Sequence, residues 1–424
     1  MIRFLFKGLL RDRHRSLFPV IIVAVGVFLT TFLYSWMNGV INDMTDSNAR
    51  FDTGHLKVMT RAYSVLANQL PNDLALTGID KTMESLKAEY PGYEWTARIK
   101  FGGLLDTPDE NGETKSQAPA AGFGIDLLGK NSKEIERLNI KKAIVRGRIP
   151  EKPGEILISD EFAKRMDVGV NSKVTLLSTS SSGAMAVQNF IISGTVEFGI
   201  SAMDRGAIIA DVGDVQYALE MPNGAGEILG FSNDMFYNSK TADKMAAEFN
   251  KRYSKPDDKY SPIMLTLEDQ NGLREYLQYV NVVIFFIIGV FLIAMSAVLL
   301  NAGLMSSIRR YGEVGIRLAL GESKDHIYKS LLNESVLIGL VGSIIGTALG
   351  LLLALYFQEK GLDMSGQFKN STLMVNNMIK ARISFTSYYI GFIPGLIATL
   401  VGTSLSGIQI FKRQTASLFK ELES

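Results

Sequence analysis

No cysteine occurs among the 424 residues. That excludes a disulfide framework and a cysteine-linked lipid anchor, so any folded domain must hold itself with a hydrophobic core. Only three histidines are present, His14, His55 and His326, and they are scattered. With no thiolate to join them they offer zinc no ligand set. No G-x-S-x-G elbow is found, and spacing alone marks no pair of carboxylates for acid–base work. The sequence therefore nominates no catalytic residue and no metal ligand. Charge is the last absence. Asp, Glu, Lys and Arg are all missing from Ser16–Asn42, Tyr276–Ser307, Ser335–Gln358 and Ile383–Phe411.

Each uncharged run exceeds the roughly 20 residues that span a bilayer. The first is too long for a signal-peptide core and lacks a small-residue cleavage site, so it reads as a retained span. Lys and Arg concentrate before span one (Arg3, Lys7, Arg11, Arg13, Arg15), between spans two and three (Arg309, Arg310, Arg317, Lys324, Lys329) and after span four (Lys412, Arg413, Lys420). The positive-inside bias places both termini and the middle loop in the cytoplasm. The expected order is a cytoplasmic amphipathic stem at 1–15, span one at 16–42, and an external domain at 43–275. Span two follows at 276–305, a cytoplasmic loop at 306–330, span three at 331–357, a short external loop at 358–385, span four at 386–411 and a tail at 412–424.

The external segment reads as mixed α/β. "HLKVMT", "GEILIS", "SKVTLLS", "NFIISGTVEF" and "GAIIADV" have strand character. "DKTMESLKAEY", "DEFAKRMDV", "DVQYALEM" and "TADKMAAEFNKRY" have helical spacing with an acid near the start. The interleaving suggests two α/β subdomains, about 43–115 with 236–275, and 116–235, rather than a sandwich. "STSSSGAMAVQ" (178–188) reads as a hairpin or exposed loop, with Ser178, Ser181, Gly183, Met185 and Val187 as candidate partner contacts. "GIDLLGKN" (124–131) imitates a phosphate-binding P-loop, but Asn131 stands where a magnesium-binding hydroxyl belongs, and no strand of the expected kind leads directly into it. It reads as a turn.

Gly339, Gly342, Gly346 and Gly350 line one face of span three, where another helix can approach closely. Packing within the chain and a face toward a second permease subunit both fit. Gly391, Pro394, Gly395 and Gly402 predict a kink in span four. Apolar positions at the outer ends of spans one and two, Met37, Val40 and Ile284, are candidates for acyl-chain contact.

Between spans two and three the chain reads "SSIRRYGEVGIRLALGESKDHIYKSLLNES". On a helix, Ile308, Tyr311, Val314, Gly315 and Leu318 share one side, and Arg309, Arg310, Glu313 and Arg317 the other. Arg309–Glu313–Arg317 forms an i, i+4 ladder. Ile316 and Leu320 project from the polar side, where only a partner would cover them. Gly321 is placed to end this helix and Ser323 to cap the next.

Residues 301–350 resemble the FtsX-like permease domain of type VII ABC transporters, in the Ser-Ile before a basic pair, Glu-x-Gly, an Arg shortly before a Gly (Arg317 and Gly321) and the Glu ahead of a Gly-rich span. "LLRDRHRSLFPVIIVAVGV" and "RQTASLFKEL" are similar to that family's stem and tail. "DTGHLKV", "PEKPGEILISDEFAKRMDVGVNSKVTLLS" and "LTLEDQNGLREYL" lean toward its lipoprotein-releasing transmembrane subunits of LolC/LolE type. The resemblance implies a membrane protein of four transmembrane helices, with a large α/β periplasmic domain of MacB-like core between helices one and two, in the bacterial inner membrane. It implies that Arg309, Arg310, Glu313, Ile316, Arg317, Leu320 and Gly321 contact a cytoplasmic ABC ATPase dimer, which itself uses the ATP and Mg. A second permease subunit, homologous or identical, a lipoprotein substrate, membrane lipids and a periplasmic chaperone are the other implied partners. No cofactor is implied for the chain, and no nucleic acid. The chaperone-recruiting hairpin of the family carries prolines that 178–187 lack. Export of peptides or small molecules by a MacB-type permease, and FtsX-like regulation of cell-wall hydrolases, are the alternative functions.

Overall fold

The computed structural model describes residues 13–109, 112–199, 201–233, 237–309, 316–363 and 378–412. Two compact units emerge. One comprises Met1–Asn42, Tyr276–Leu362 and Ile379–Ser424, the other Asp43–Glu275 with Asp363–Met378. Four helices are long and apolar enough to cross a membrane, and the large α/β domain lies between the first and second of them in sequence, as expected.

In the membrane unit, α1 runs Arg13–Asn48, α6 Leu273–Arg309, α7 Lys324–Lys360 and α8 Phe392–Lys412. At about 1.5 Å per residue, 36 or 37 residues reach roughly 55 Å, well beyond a hydrocarbon core of about 30 Å. The middle helices therefore continue into what the sequence alone reads as loop. Val23, Val27, Met295, Leu299 and Ala398 form a buried cluster joining α1, α6 and α8. The glycine stripe of α7 faces the chain's own helices. A methyl on Gly342 would meet Val23 at 2.7 Å, one on Gly346 would meet the Ala24 carbonyl at 2.5 Å, and one on Gly339 would meet Thr399 of α8 at 2.6 Å. In span four a short 3₁₀ turn at Phe385–Tyr388 precedes α8, and Pro394 lies close behind the start of that helix, in its first turn, where a missing N–H costs nothing.

The inserted domain is built on ten strands. They are β1 Leu56–Thr60, β2 Tyr93–Pro108, β3 Thr114–Ile125, β4 Ile144–Gly147, β5 Glu155–Ser159, β6 Lys173–Thr179, β7 Met185–Val196, β8 Ala207–Asp211, β9 Glu227–Ser232 and β10 Pro262–Thr266. The order is β10-β1-β9-β2-β3-β8-β5-β7-β4, with β6 bonded to both β2 and β7. Strands β2, β3, β8, β5, β7 and β6 thus close into a ring, which leaves no free edge among them. The pairs β3–β8 and β5–β7 are parallel, the others in the ring antiparallel. Helices α2 (Ile79–Glu89) and α5 (Ser239–Tyr253) contribute Leu86, Ala242, Ala246 and Phe249 to the main core, while α3 (Asp160–Met166) and α4 (Val212–Ala218) add Phe162 and Val215. A second cluster gathers Ile125, Leu138, Ile140, Phe198 and Ile209.

The expected subdomain division needs correction. β9, placed with 116–235, pairs instead between β1 and β2, where its Ile228 lies opposite Val58 and joins Leu56 and Val58 in the main core. β2 itself serves both parts, pairing with β9 through Tyr93–Arg98 and with β3 beyond. The P-loop imitation is preceded by a strand after all, since β3 ends at Ile125. Its amides are already committed. Leu127 and Leu128 donate to Asp211 at 3.1 Å, and Gly129 to Asp126 at 2.8 Å, so a phosphate would meet carboxylates.

Candidate functional site

Between α6 and α7 lies the segment that begins at Ile316. Residues 316–319 are helical, and the chain then reverses. The Glu322 amide donates to Arg317 O at 3.0 Å and the Gly321 amide to Leu318 O at 3.1 Å, with Gly321 at φ +92°. This double bond pattern around a left-handed glycine is a Schellman stop. Two residues later the Ser323 hydroxyl accepts from the His326 amide at 3.3 Å and begins α7. Local hydrogen bonds thus fix both sides of the turn. Leu318 turns inward with Ile327 and Leu331. Ile316 and Leu320 remain 58% and 83% exposed, and Arg317 is exposed beside them. Arg309 closes α6, while Arg310 and Glu313 lie outside the described residues. The turn presents two apolar side chains and a cation on a short, doubly stopped segment.

Against known families, residues 285–415 match the FtsX-like permease C-terminal family. It is this C-terminal stretch that is similar to an FtsX-like permease domain. The match begins within α6 and includes the turn and the glycine stripe of α7, so the resemblance read from 301–350 is borne out. The chain is 27% identical over 251 residues to the lipoprotein-releasing system transmembrane protein LolC of Xylella fastidiosa strain Temecula1, covering 57% of this chain and 56% of that one. The same figures hold for the LolC of strain 9a5c. The chain thus spans little more than half the length of these curated relatives. A solved structure of the periplasmic region of MacB from Actinobacillus actinomycetemcomitans is similar at TM-score 0.37 and 11% identity, covering 55% of this chain and 95% of that one.

Beyond the FtsX-like domain, 178–188 forms the hairpin between β6 and β7. Its tip is tied down. Ser181 bonds Leu219 and Glu220 carbonyls at 2.8 and 3.0 Å, Ser178 donates to Gly102 O at 2.7 Å, and Gly183 takes φ +83°. Met185 and Val187 stand 73% and 55% exposed on the outgoing strand. An open cleft of about 660 Å³ lies beside the tip, walled by Leu66, Leu70, Asn72 and Ser180. Among the acyl-contact candidates, Met37 and Val40 are half-buried. Ile284 is corrected: it is only 7% exposed, whereas Phe285, one position on, is 74% exposed, because successive helical residues point about 100° apart.

Sequence reasoning missed a group of buried charges where the chain enters and leaves the inserted domain. Asp52, in a π-helical turn at Ala49–Thr53, bonds Lys100 of β2 and lies 3.5 Å from Lys57 of β1. Glu227 of β9 completes a quartet, 3.2 Å from Lys57 and 3.0 Å from Lys100. Burial pushes the Lys57 ammonium below the ordinary lysine range. Burial alone would lower Lys100 too, but Glu227 and Asp52 outweigh it and hold that ammonium high. A second group lies close by: Arg98, Glu134 and Arg137, with Phe231 stacked 3.9 Å from the Arg137 guanidinium. No spacing in the sequence announces either group. Asp52 and Lys57 sit within "DTGHLKV", but their partners are on strands far along the chain.

Proposed function

We propose that this chain is the transmembrane subunit of an ABC transporter that releases lipoproteins from the bacterial inner membrane toward a periplasmic carrier. A separate cytoplasmic ATPase dimer supplies the work and binds the ATP and Mg. The observation that carries this reading is the turn at 316–323: exposed Ile316 and Leu320 on a segment stopped by Gly321 and restarted by Ser323, between two apolar helices of 37 residues each. An ATPase in water can push on a membrane only through something stiff, anchored by apolar side chains and steered by charge. Leu320 and Ile316 would seat in it as anchors, and Arg317 would meet an acidic rim. Closure of the ATPases would then move α6 and α7 as rigid rods and swing the periplasmic domain, doing work outside the bilayer with no continuous channel. The lipoprotein substrate is supported by the likeness to two LolC proteins.

The double variant Arg317→Asp, Leu320→Asp tests the handle. It should fail to capture the ATPase from membranes while keeping wild-type expression; undiminished capture overturns the reading. The cargo is tested separately by depletion. Lipoproteins should then accumulate in the inner membrane, and normal sorting would point instead to export of peptides or small molecules.

A further inference from the structure

The segment Asp43–Glu275 joins the neighbouring helices α1 and α6 at its two ends. Those connections are bonded to each other and to the sheet through one carboxylate. Asp52 Oδ1 faces Lys100 and Lys57, and Asp52 Oδ2 accepts from Asn271 Nδ2 at 2.7 Å, two residues before α6 begins. Next to it, Gln270 donates to Thr53 O at 3.3 Å and Arg98 to Phe51 O at 3.1 Å, while the Phe51 ring enters the second core cluster. The π-helical turn that carries Asp52 ends at Gly54, whose φ of +61° and contact of 2.7 Å from a would-be methyl to Leu56 O admit no side chain. Each feature alone has an ordinary structural use. Their convergence on one five-residue turn does not.

Asp52 and Glu227 balance Lys57 and Lys100, and these side chains, Asp52 apart, are largely removed from water. An apolar core would hold the sheet as well, because desolvating an ion pair offsets much of its attraction. What ions add is a unique register, since each charge tolerates one arrangement of partners. We propose that Asp52 is a positioning residue, the clasp through which displacement of α1 and α6 reaches the sheet of the inserted domain as one rigid movement. Lys57, Lys100, Glu227 and Asn271 hold it in place. The inference deepens the transporter reading and rests on it for the direction of force, but the clasp itself is a property of this chain alone.

The test uses the full chain with its ATPase in nanodiscs, with a triacylated lipopeptide as the transport probe. Asp52→Asn should keep ATP hydrolysis near wild type and cut probe release per ATP about tenfold, a coupling loss of ordinary size. Asp52→Glu keeps the carboxylate and the neutral quartet and should retain the release that Asp52→Asn loses, with the inserted domain equally stable in both variants, a split that a merely stabilising role would not give. Hydrogen exchange supplies a readout independent of transport. In Asn271→Ala, which leaves the quartet's charge intact, amides of 49–56 should exchange faster although the substitution lies elsewhere in the sequence. Unchanged exchange at 49–56, or wild-type release per ATP in Asp52→Asn, overturns the clasp. If wild type itself releases no probe, the transporter reading fails, and the exchange result still decides the clasp.

Discussion

Replacing Glu134 by glutamine removes one anion from between two buried guanidiniums. Glu134 Oε2 accepts from Arg98 Nε at 2.7 Å, and Oε1 from Arg137. Breaking a buried pair by deleting one member costs about 3–5 kcal/mol, because the survivor stays desolvated. Arg137 keeps Glu94 at 3.1 Å and Arg98 keeps Phe51 O, so the lower end, about 3 kcal/mol, is expected. At about 2–4 °C per kcal/mol for a domain of this size, Tm should fall by about 6–12 °C. The chain has two tryptophans, Trp36 in α1 and buried Trp95 in β2, so Trp95 fluorescence in a Trp36→Phe background reports the inserted domain. The pH dependence carries a definite sign. Burial alone would raise the Glu134 carboxyl, but Arg98 and Arg137 outweigh it and hold it below the ordinary glutamate value. Its contribution is therefore complete above the unfolded value of about 4.3 and is lost as pH falls through the lower folded one. The Tm gap between wild type and Glu134→Gln should be constant near neutrality and close in acid. A drop under about 2 °C at pH 7 would refute the reasoning, as would a gap that widens in acid.

Three further outcomes follow from packing and capping. Gly346→Val should separate α1 from α7 and cost about 1–3 kcal/mol, while Gly289→Val, with nothing within 4 Å, should be nearly neutral; SDS-resistance of the folded bundle would rank them. Ser323→Ala removes the cap of α7, and Gly321→Ala forces a methyl into a left-handed turn. Each should lower helicity at the turn by about 1 kcal/mol, measured by local hydrogen exchange. Because the chain has no cysteine, single cysteines can be placed freely; a lipophilic maleimide should label position 285 rapidly and position 284 slowly.

The spans were legible because an uncharged run of such length has few other uses, and the turn because Gly-Glu-Ser names both a stop and a start. Strands such as Glu155–Ser159 announced themselves through β-branched residues. The long pair β2 and β3 did not. Gly102, Gly103 and Pro119 weaken its pattern, and the pairing comes from the ring, where β6 crosses Gly103 too closely for a side chain. That Pro394 falls in the first turn of α8 was not legible, because the sequence does not reveal where a helix begins within an apolar run. Ile284 was chosen by depth alone, and only packing says which side of α6 faces away. Lys57 and Lys100 resemble ordinary surface lysines, since Glu227 reaches them only through pairing of distant strands.

One strand has a consequence for how the inserted domain melts. β2 is 16 residues long, about 50 Å at 3.3 Å each, and it contributes to both halves of the sheet. Neither half can dissolve while the other keeps its own stretch of that shared axle straight. Calorimetry should accordingly register one sharp endotherm for the inserted domain instead of two overlapping ones.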